Sequence, residues 1–178
     1  MTETSWTICD GPVGPLTVVA GTAGVRGVWF EGQAPRLEAA GRRQMPVVAE
    51  QLAEYFAGER RGFELDLDLR GEPLQLAVWG QLRGIPYGET TSYGELSRRI
   101  DPSLFPAELE PYKRVRLVAA TIGRTPTPII VPCHRVIGAD GSLTGYGGGL
   151  GRKRTLLELE RRVAGPPAGA EADQLALL

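Results

Sequence analysis

The chain has 178 residues, a formal net charge of −1 and two cysteines. This length suits one or two compact domains, and no apolar run is long enough to span a bilayer. The N-terminus lacks a basic region followed by an apolar stretch, and two cysteines do not make a disulfide framework, so the composition argues against a secreted or membrane protein and favours a cytoplasmic one.

The charges are distributed unevenly along the chain. Residues 1–78 contain seven basic and eleven acidic side chains, whereas residues 79–162 contain thirteen basic and eight acidic ones. A modestly basic C-terminal half suits a short contact with nucleic-acid phosphates. A solvated basic face that binds nothing fits the same counts.

The N-terminal part is predicted to form strands followed by a helix. Apolar runs separated by Gly and Pro clusters indicate a small antiparallel meander with strands at residues 6–9, 16–20 and 25–30. Apolar residues at helical spacing over residues 47–56 predict a helix that stops at Gly58. Apolar and charged residues alternate over residues 63–70, so we expect a half-buried strand there.

Helices joined by turns are predicted for the C-terminal part. One apolar face covers residues 74–82, and Gly84 ends that helix. The Ser-x-x-Glu pattern at residues 92–95 is typical of a capping box, which predicts a helix from residue 93 to about 99. Further helices are predicted over residues 113–122 and 152–162. Helix, connector, helix is the outline of a helix-turn-helix, although any helical hairpin looks similar.

The run Ile-Ile-Val-Pro-Cys-His-Arg-Val at residues 129–136 is the strongest candidate for chemistry. It places Cys133 directly before His134, the only histidine of the chain. A thiol becomes a strong nucleophile once a neighbouring base or positive charge favours its thiolate. By itself the pair also fits an unreactive buried cysteine beside a surface histidine.

Three blocks of sequence resemble the O6-alkylguanine-DNA alkyltransferases, also called methylated-DNA–protein-cysteine methyltransferases. They begin at Val78-Trp79, at Pro126-Thr127-Pro128 and at Gly145-Tyr146-Gly147, and they extend over about half the chain. The resemblance implies a two-part α/β fold. A ribonuclease-H-like N-terminal domain, an antiparallel sheet plus a helix with no expected catalytic role, would span residues 1–72. A helical, winged-helix or helix-turn-helix-like DNA-binding domain would span residues 73–164, and residues 165–178 read as a flexible tail.

The resemblance also implies a reaction. A methyl or larger alkyl group would pass once and irreversibly from O6 of guanine, or less readily from O4 of thymine, in double-stranded DNA to Cys133. His134 would be the base, acting through water, and Glu160 would orient it. Tyr93 would donate a proton to the leaving guanine. No metal, organic cofactor or obligatory protein partner is implied, so we expect a monomer.

Further residues are assigned by their positions in the family pattern. In the family, the helix predicted over residues 113–122 is the DNA-recognition helix. Arg116 on it would fill the base stack when the damaged base is flipped out, and Thr125 would lie at the hinge that follows it. The remaining DNA contacts would be Ser92, Ala119, Ala120 and Arg135. The pocket for the flipped base would include Val131, Tyr146, Gly147 and Gly148.

Two features depart from the family pattern. Thr125 replaces the usual asparagine, which loses an amide that can both donate and accept. Residues 98–112 make a connector longer than expected, and its prolines exclude one continuous helix. The extra residues could contact DNA, support a partner chain or only cover the surface, and our hypothesis is that they form a surface loop that modifies DNA contact.

Two other functions fit parts of the sequence. A lesion-binding protein without repair activity is one, but such relatives lack the cysteine. A cysteine hydrolase that turns over an ester or amide is the other, since it would also use a Cys-His pair.

Overall fold

The N-terminal part of the chain folds as the predicted meander. The structure, a computed structural model, describes residues 4–165, so the predicted tail from residue 166 onward lies outside the described residues. Three antiparallel strands follow one another in the sheet, namely β1 Ser5–Cys9, β2 Leu16–Gly21 and β3 Gly24–Phe30. No helix within residues 4–165 is both long and apolar enough to cross a membrane.

Helix α1 spans Pro46–Ala57 and supplies residues to the same core as the sheet. Pro46 occupies its first turn, where the missing N–H costs nothing. Gly58 ends the helix in the left-handed conformation, at φ 80°, as the sequence predicted. The helix buries Val48, Leu52 and Tyr55.

The strand predicted for residues 63–70 does not form a ladder. Its only β-bridge among the described residues joins Leu67 to Val25, where the Val25 N–H bonds the Asp66 carbonyl at 2.8 Å. The free edge of β3 is shared with another segment, because the Val28 N–H bonds the Pro126 carbonyl. The alternating pattern therefore reflects an extended segment beside the sheet rather than a fourth strand.

The C-terminal part is helical, as predicted. The helices are α2 Pro73–Arg83, α3 Tyr93–Arg98, α4 Pro111–Ile122 and α5 Leu150–Ala164. Two short strands, β4 Thr91–Ser92 and β5 Val136–Ile137, pair in parallel. The predicted capping box at the start of α3 is present, with the Ser92 hydroxyl oxygen accepting from the Glu95 N–H.

The connector between α3 and α4 is more than a surface loop. Phe105 within it is only 6% exposed and packs in the C-terminal core, with the Arg114 guanidinium 5.4 Å from its ring centroid. Burial of one aromatic ring of this size stabilises the connector by roughly 2 kcal/mol. The connector is thus anchored at its centre.

Two apolar cores meet at the segment that contains Cys133. The first core joins the sheet and α1 to Ile129 and Ile130 and to two leucines of α5. The second joins α2, α3 and α4 to Val131 and Cys133. Residues 129–133 therefore pass from one core into the other, which holds this segment on both sides.

Candidate active site

Cys133 begins a single 3₁₀ turn, Cys133–Arg135, directly after Pro132. The strand β5 follows at once and pairs with β4, so the turn lies beside the start of α3. The thiol is only 4% exposed. Local pairing thus brings Tyr93, the first residue of α3, toward the cysteine.

The Cys133 thiol is protonated at neutral pH. Burial raises the pKa of Cys133 to about 11, although the Lys153 charge and the backbone N–H groups of Cys133 and Ile129 act in the opposite direction. Because its pKa is about 11, the nucleophile must lose a proton before it can attack. Ile129, whose N–H favours the thiolate, lies in the left-handed region at φ 77°, an uncommon conformation for a β-branched residue.

His134 is fully buried and bonded to Glu160. Its Nε2 lies 2.9 Å from Glu160 Oε1, so the proton on a neutral ring belongs on Nε2. Nδ1 is buried and has no hydrogen-bond partner among residues 4–165. Burial lowers the pKa of His134 despite the opposing carboxylate, so the ring is neutral at pH 7 and Nδ1 can accept a proton.

Glu160, on α5, is fully buried within a set of donors. The guanidinium of Arg135 donates to both carboxylate oxygens at 2.8 to 3.2 Å, and the Gly88 N–H donates to Oε2 at 3.1 Å. Burial opposes ionisation, but the bonds from His134 and Arg135 outweigh it and lower the pKa of Glu160 to about 2. Glu160 is therefore an anion at neutral pH.

Arg135 does not occupy the predicted DNA-binding position. The residue is 6% exposed, and besides Glu160 its guanidinium donates to the Ile85 carbonyl at 2.6 Å. A guanidinium used in this way neutralises the buried carboxylate and leaves little surface for contact with a phosphate.

Tyr55, on α1, also donates to the carboxylate. Its hydroxyl lies 2.7 Å from Glu160 Oε1 and 3.5 Å from His134 Nε2. The N-terminal part, for which no catalytic role was expected, therefore contributes a side chain to the hydrogen bonds of Glu160. The helical spacing indicated that Tyr55 is buried, but nothing in the sequence indicated which group its hydroxyl meets.

A cleft of about 440 Å³ reaches Cys133 from the surface. One wall comes from the sheet, through Trp29 and Phe30. The other walls come from the segment after α4 and from a glycine-rich loop at residues 145–149, and they include Thr125, Pro128, Tyr146, Gly147 and Gly148. The predicted pocket residues Tyr146, Gly147 and Gly148 are thus brought together at the thiol.

Val131 is not part of this wall. Its side chain is fully buried in the second core, and its carbonyl accepts the Cys133 N–H at 2.8 Å. The apolar run before Cys133 faces the cores because both flanks of the segment are packed. Val131 thus holds the backbone at Cys133 through this hydrogen bond and through its packing in the second core.

A second cleft, of about 490 Å³, opens along α4. Tyr93, Arg116 and Ala119 line it, and it shares Tyr146 and Gly147 with the first cleft. Arg116 is exposed and makes no ion pair among the described residues. The Tyr93 hydroxyl donates to the Thr144 and Gly145 carbonyls at 3.1 and 3.3 Å.

The other predicted DNA contacts differ in their availability. Ala120 is exposed on α4. The Ser92 hydroxyl is half-buried and donates to Glu95 Oε2 at 2.9 Å within the capping box. Thr125, the predicted hinge residue, donates its hydroxyl proton to the Ile122 carbonyl at 2.7 Å and so closes the end of α4.

Comparison with known proteins assigns the chain to one family. Residues 73–162 match the family model described as 6-O-methylguanine DNA methyltransferase, DNA binding domain. A methylated-DNA–protein-cysteine methyltransferase of Mycolicibacterium paratuberculosis is 44% identical over 157 residues, 86% of this chain and 90% of that protein. The chain belongs to this methyltransferase family.

Other relatives agree over most of the chain. The methylated-DNA–protein-cysteine methyltransferase of Methanosarcina acetivorans is 38% identical over 87% of this chain and 97% of that protein. The crystal structure of Mycobacterium tuberculosis OGT in complex with DNA superimposes with a TM-score of 0.74 and 43% identity, covering 89% of this chain and 94% of that one. The α/β fold of this methyltransferase family member therefore matches a solved one.

The sequence did not indicate the role of Lys153 in this methyltransferase family member. Lys153 is fully buried on α5, and its Nζ donates to the Val136 and Thr144 carbonyls at 2.6 and 2.8 Å. Burial lowers the pKa of Lys153 to about 8, so the side chain is mostly charged at pH 7. Because its charge acts on Cys133, it is the cation placed to favour the thiolate.

The described part of the chain contains no cluster of side chains suited to bind a metal ion. Within residues 4–165, no three or more His, Cys, Asp or Glu side chains lie together in a way that could hold a metal ion. Cys9, the other cysteine, is buried in the N-terminal core.

Proposed function

We propose that the protein repairs alkylated DNA by moving a methyl or larger alkyl group from O6 of guanine, or less readily O4 of thymine, to its own Cys133. The observation that carries this proposal is the buried Cys133 thiol at the end of a cleft, next to a neutral His134 bonded to an ionised Glu160. The names of the relatives, and the DNA complex of the M. tuberculosis protein, support the same reaction.

The reaction is a displacement at the alkyl carbon. His134 Nδ1 takes the Cys133 proton, directly or through water, and Glu160 stabilises the imidazolium that results. The sulfur then bonds the alkyl carbon as the bond from that carbon to guanine O6 breaks, and the electron pair stays on the guanine. Tyr93 supplies the guanine with a proton. The thioether is a poor leaving group, so each chain reacts once.

Helix α4 is the proposed DNA-reading element. Arg116 is exposed on it, at the edge of the cleft that also holds Tyr93. A guanidinium can stack where the flipped base was, which offsets part of the few kcal/mol that flipping costs. The small side chains of Ala119 and Ala120 allow the helix to lie close to the DNA backbone.

The division of the chain belongs to the same proposal. We place the boundary between a ribonuclease-H-like N-terminal domain and a winged-helix-like C-terminal domain near residue 72, at the start of α2. We also place the protein in the cytoplasm, because a reducing compartment keeps the Cys133 thiol free.

The experiment is a mass measurement of the intact protein after it is mixed with duplex DNA that carries one O6-methylguanine. We expect a gain of one methyl group per chain, which peptide mapping locates on Cys133 and which Cys133→Ala abolishes. Retained binding with no mass change would instead indicate a lesion-binding protein. Repeated product release from an ester or amide would indicate a hydrolase.

A second arm tests Arg116. Arg116→Ala should slow methyl transfer from the duplex far more than transfer from free O6-methylguanine, because the free base needs no flipping. Equal slowing on both substrates would contradict the proposed role of Arg116.

A further inference from the structure

Within the described structure, Tyr55 is the residue of the N-terminal part whose hydroxyl forms a hydrogen bond with the Glu160–His134 pair. The hydroxyl lies 2.7 Å from Glu160 Oε1, the same oxygen that His134 Nε2 meets at 2.9 Å. The oxygen of Tyr55 is also 3.5 Å from His134 Nε2. The Arg135 guanidinium also donates to Oε1, at 2.8 Å, so three side chains from both parts of the chain converge on one carboxylate oxygen.

The Tyr55 ring is packed among three other aromatic rings. The side chain is fully buried, and its ring centroid lies 5.2 Å from that of Phe63, 5.4 Å from Phe56 and 5.9 Å from Tyr87. Burial, with the Glu160 charge, raises the pKa of Tyr55 far above its ordinary value. The hydroxyl therefore stays protonated and remains a hydrogen-bond donor to Glu160.

We infer that Tyr55 is a positioning residue for alkyl transfer, whose hydroxyl holds the Glu160 carboxylate in line with His134 and limits how strongly that carboxylate raises the basicity of the imidazole. This inference rests on the proposed function for the roles of Cys133 and His134. It extends the site into the N-terminal helix, to a residue outside the region matched by the DNA-binding family model.

The direction of the effect follows from hydrogen bonding. Donation from Tyr55 stabilises the carboxylate charge, as do the donors from Arg135 and Gly88. The groups that act on His134 are this carboxylate, which raises its pKa, and the Arg135 and Lys153 charges, which lower it. When the hydroxyl is removed, His134 faces a less compensated carboxylate, so its pKa rises, and Oε1 is then held by Arg135 and His134 alone.

The test is Tyr55→Phe in the full chain, with Tyr87→Phe as the matched control. Tyr87 belongs to the same aromatic cluster, but its buried hydroxyl has no hydrogen-bond partner among the described residues. Both variants keep their rings, and circular dichroism with thermal unfolding checks the fold.

Single-turnover methyl transfer gives the first readout. For Tyr55→Phe we expect the rate at saturating methylated duplex to fall about tenfold, the effect of losing one hydrogen bond to a charged group, with DNA affinity unchanged. The acid limb of the pH–rate profile should move to higher pH. Tyr87→Phe should match the wild type in rate and profile.

Titration of His134 by ¹⁵N NMR gives a readout that needs no DNA. The pKa of His134 should rise in Tyr55→Phe and stay unchanged in Tyr87→Phe. A lower rate with an unmoved acid limb and an unmoved His134 titration would mean that Tyr55 serves packing alone, and would overturn the inference. Equal effects of the two variants would overturn it as well.

A double-variant cycle separates Tyr55 from other causes. In a Glu160→Gln background, Tyr55→Phe should have little further effect on the transfer rate, and fully additive losses would contradict the inference. If the wild type gains no methyl group at all, the proposed function has failed. The His134 titration then still decides whether Tyr55 tunes the imidazole.

Discussion

At the residue scale, burial keeps Cys133 in its protonated thiol form until a base removes the proton. Burial holds the pKa of Cys133 near 11, well above neutral pH. Such a thiol resists oxidation and stray alkylation, since the thiolate is the reactive form. Activation therefore depends on His134 as the acceptor and on the nearby Lys153 charge.

The Lys153 charge makes a pH-dependent contribution. Since the pKa of Lys153 is about 8, the charge favours the Cys133 thiolate below pH 8 and is lost as the pH rises through that value. Lys153→Met should therefore transfer methyl groups about tenfold more slowly at pH 7, as a pKa shift of one unit in Cys133 would cause. The gap to the wild type should narrow by pH 9.5.

Single-turnover rates across this pH range check the prediction. Arg154→Met is the control, because it removes an exposed positive charge from the adjacent position of α5. A gap that keeps its size up to pH 9.5 would assign the effect of Lys153 to its carbonyl bonds rather than to its charge.

At the element scale, the glycine-rich loop packs against the sheet as well as lining the cleft. Gln33 Nε2 donates to the Gly147 carbonyl at 2.9 Å, and Gly148 lies against the Phe30 ring. A side chain built on Gly148 would place its Cβ within the van der Waals radius of that ring, whereas one on Gly147 would meet only the Gly123 carbonyl at 3.6 Å. The two adjacent glycines thus have different reasons to lack a side chain.

Alanine substitutions distinguish these two positions. Gly148→Ala should lower the free energy of unfolding by roughly 2 kcal/mol, because the loop must move away from Phe30. Gly147→Ala should change it by less than about 1 kcal/mol, since its Cβ finds an ordinary contact. Urea unfolding of the two variants checks both values, and equal destabilisation would refute the assigned contact.

At the scale of the whole molecule, the two parts share their interior. Ile129, Ile130, Leu156 and Leu159 come from the C-terminal part of the chain but pack in the core of the sheet and α1. Backbone and side-chain bonds cross the same boundary, including Arg152 Nε to the Val13 carbonyl at 2.7 Å. The two parts therefore depend on each other for their buried surface.

A shared interior predicts one cooperative unfolding transition. Urea curves from far-ultraviolet circular dichroism and from tryptophan fluorescence should coincide, because Trp29 reports on β3 and Trp79 on α2. Two separate transitions would show instead that the N-terminal sheet unfolds on its own.

The sequence by itself determined most of the elements. The meander, α1 with its Gly58 stop, the capping box of α3, and the helices α4 and α5 all follow from local signals, namely periodicity, turn residues and caps. The Pro-Cys-His-Arg motif and its flanking blocks also sufficed to indicate the family, because the nucleophile and its base are adjacent in that short stretch.

Only the tertiary structure decided which groups meet across the fold. It assigned Arg135 to the buried Glu160 rather than to DNA, placed Val131 in the core, and gave Tyr55 to the carboxylate over a separation of 105 residues. It also reduced the expected strand at residues 63–70 to one bridge, because β3 shares its free edge. Local signals set backbone conformation, whereas burial and the pairing of charges depend on chain segments that become neighbours only on folding.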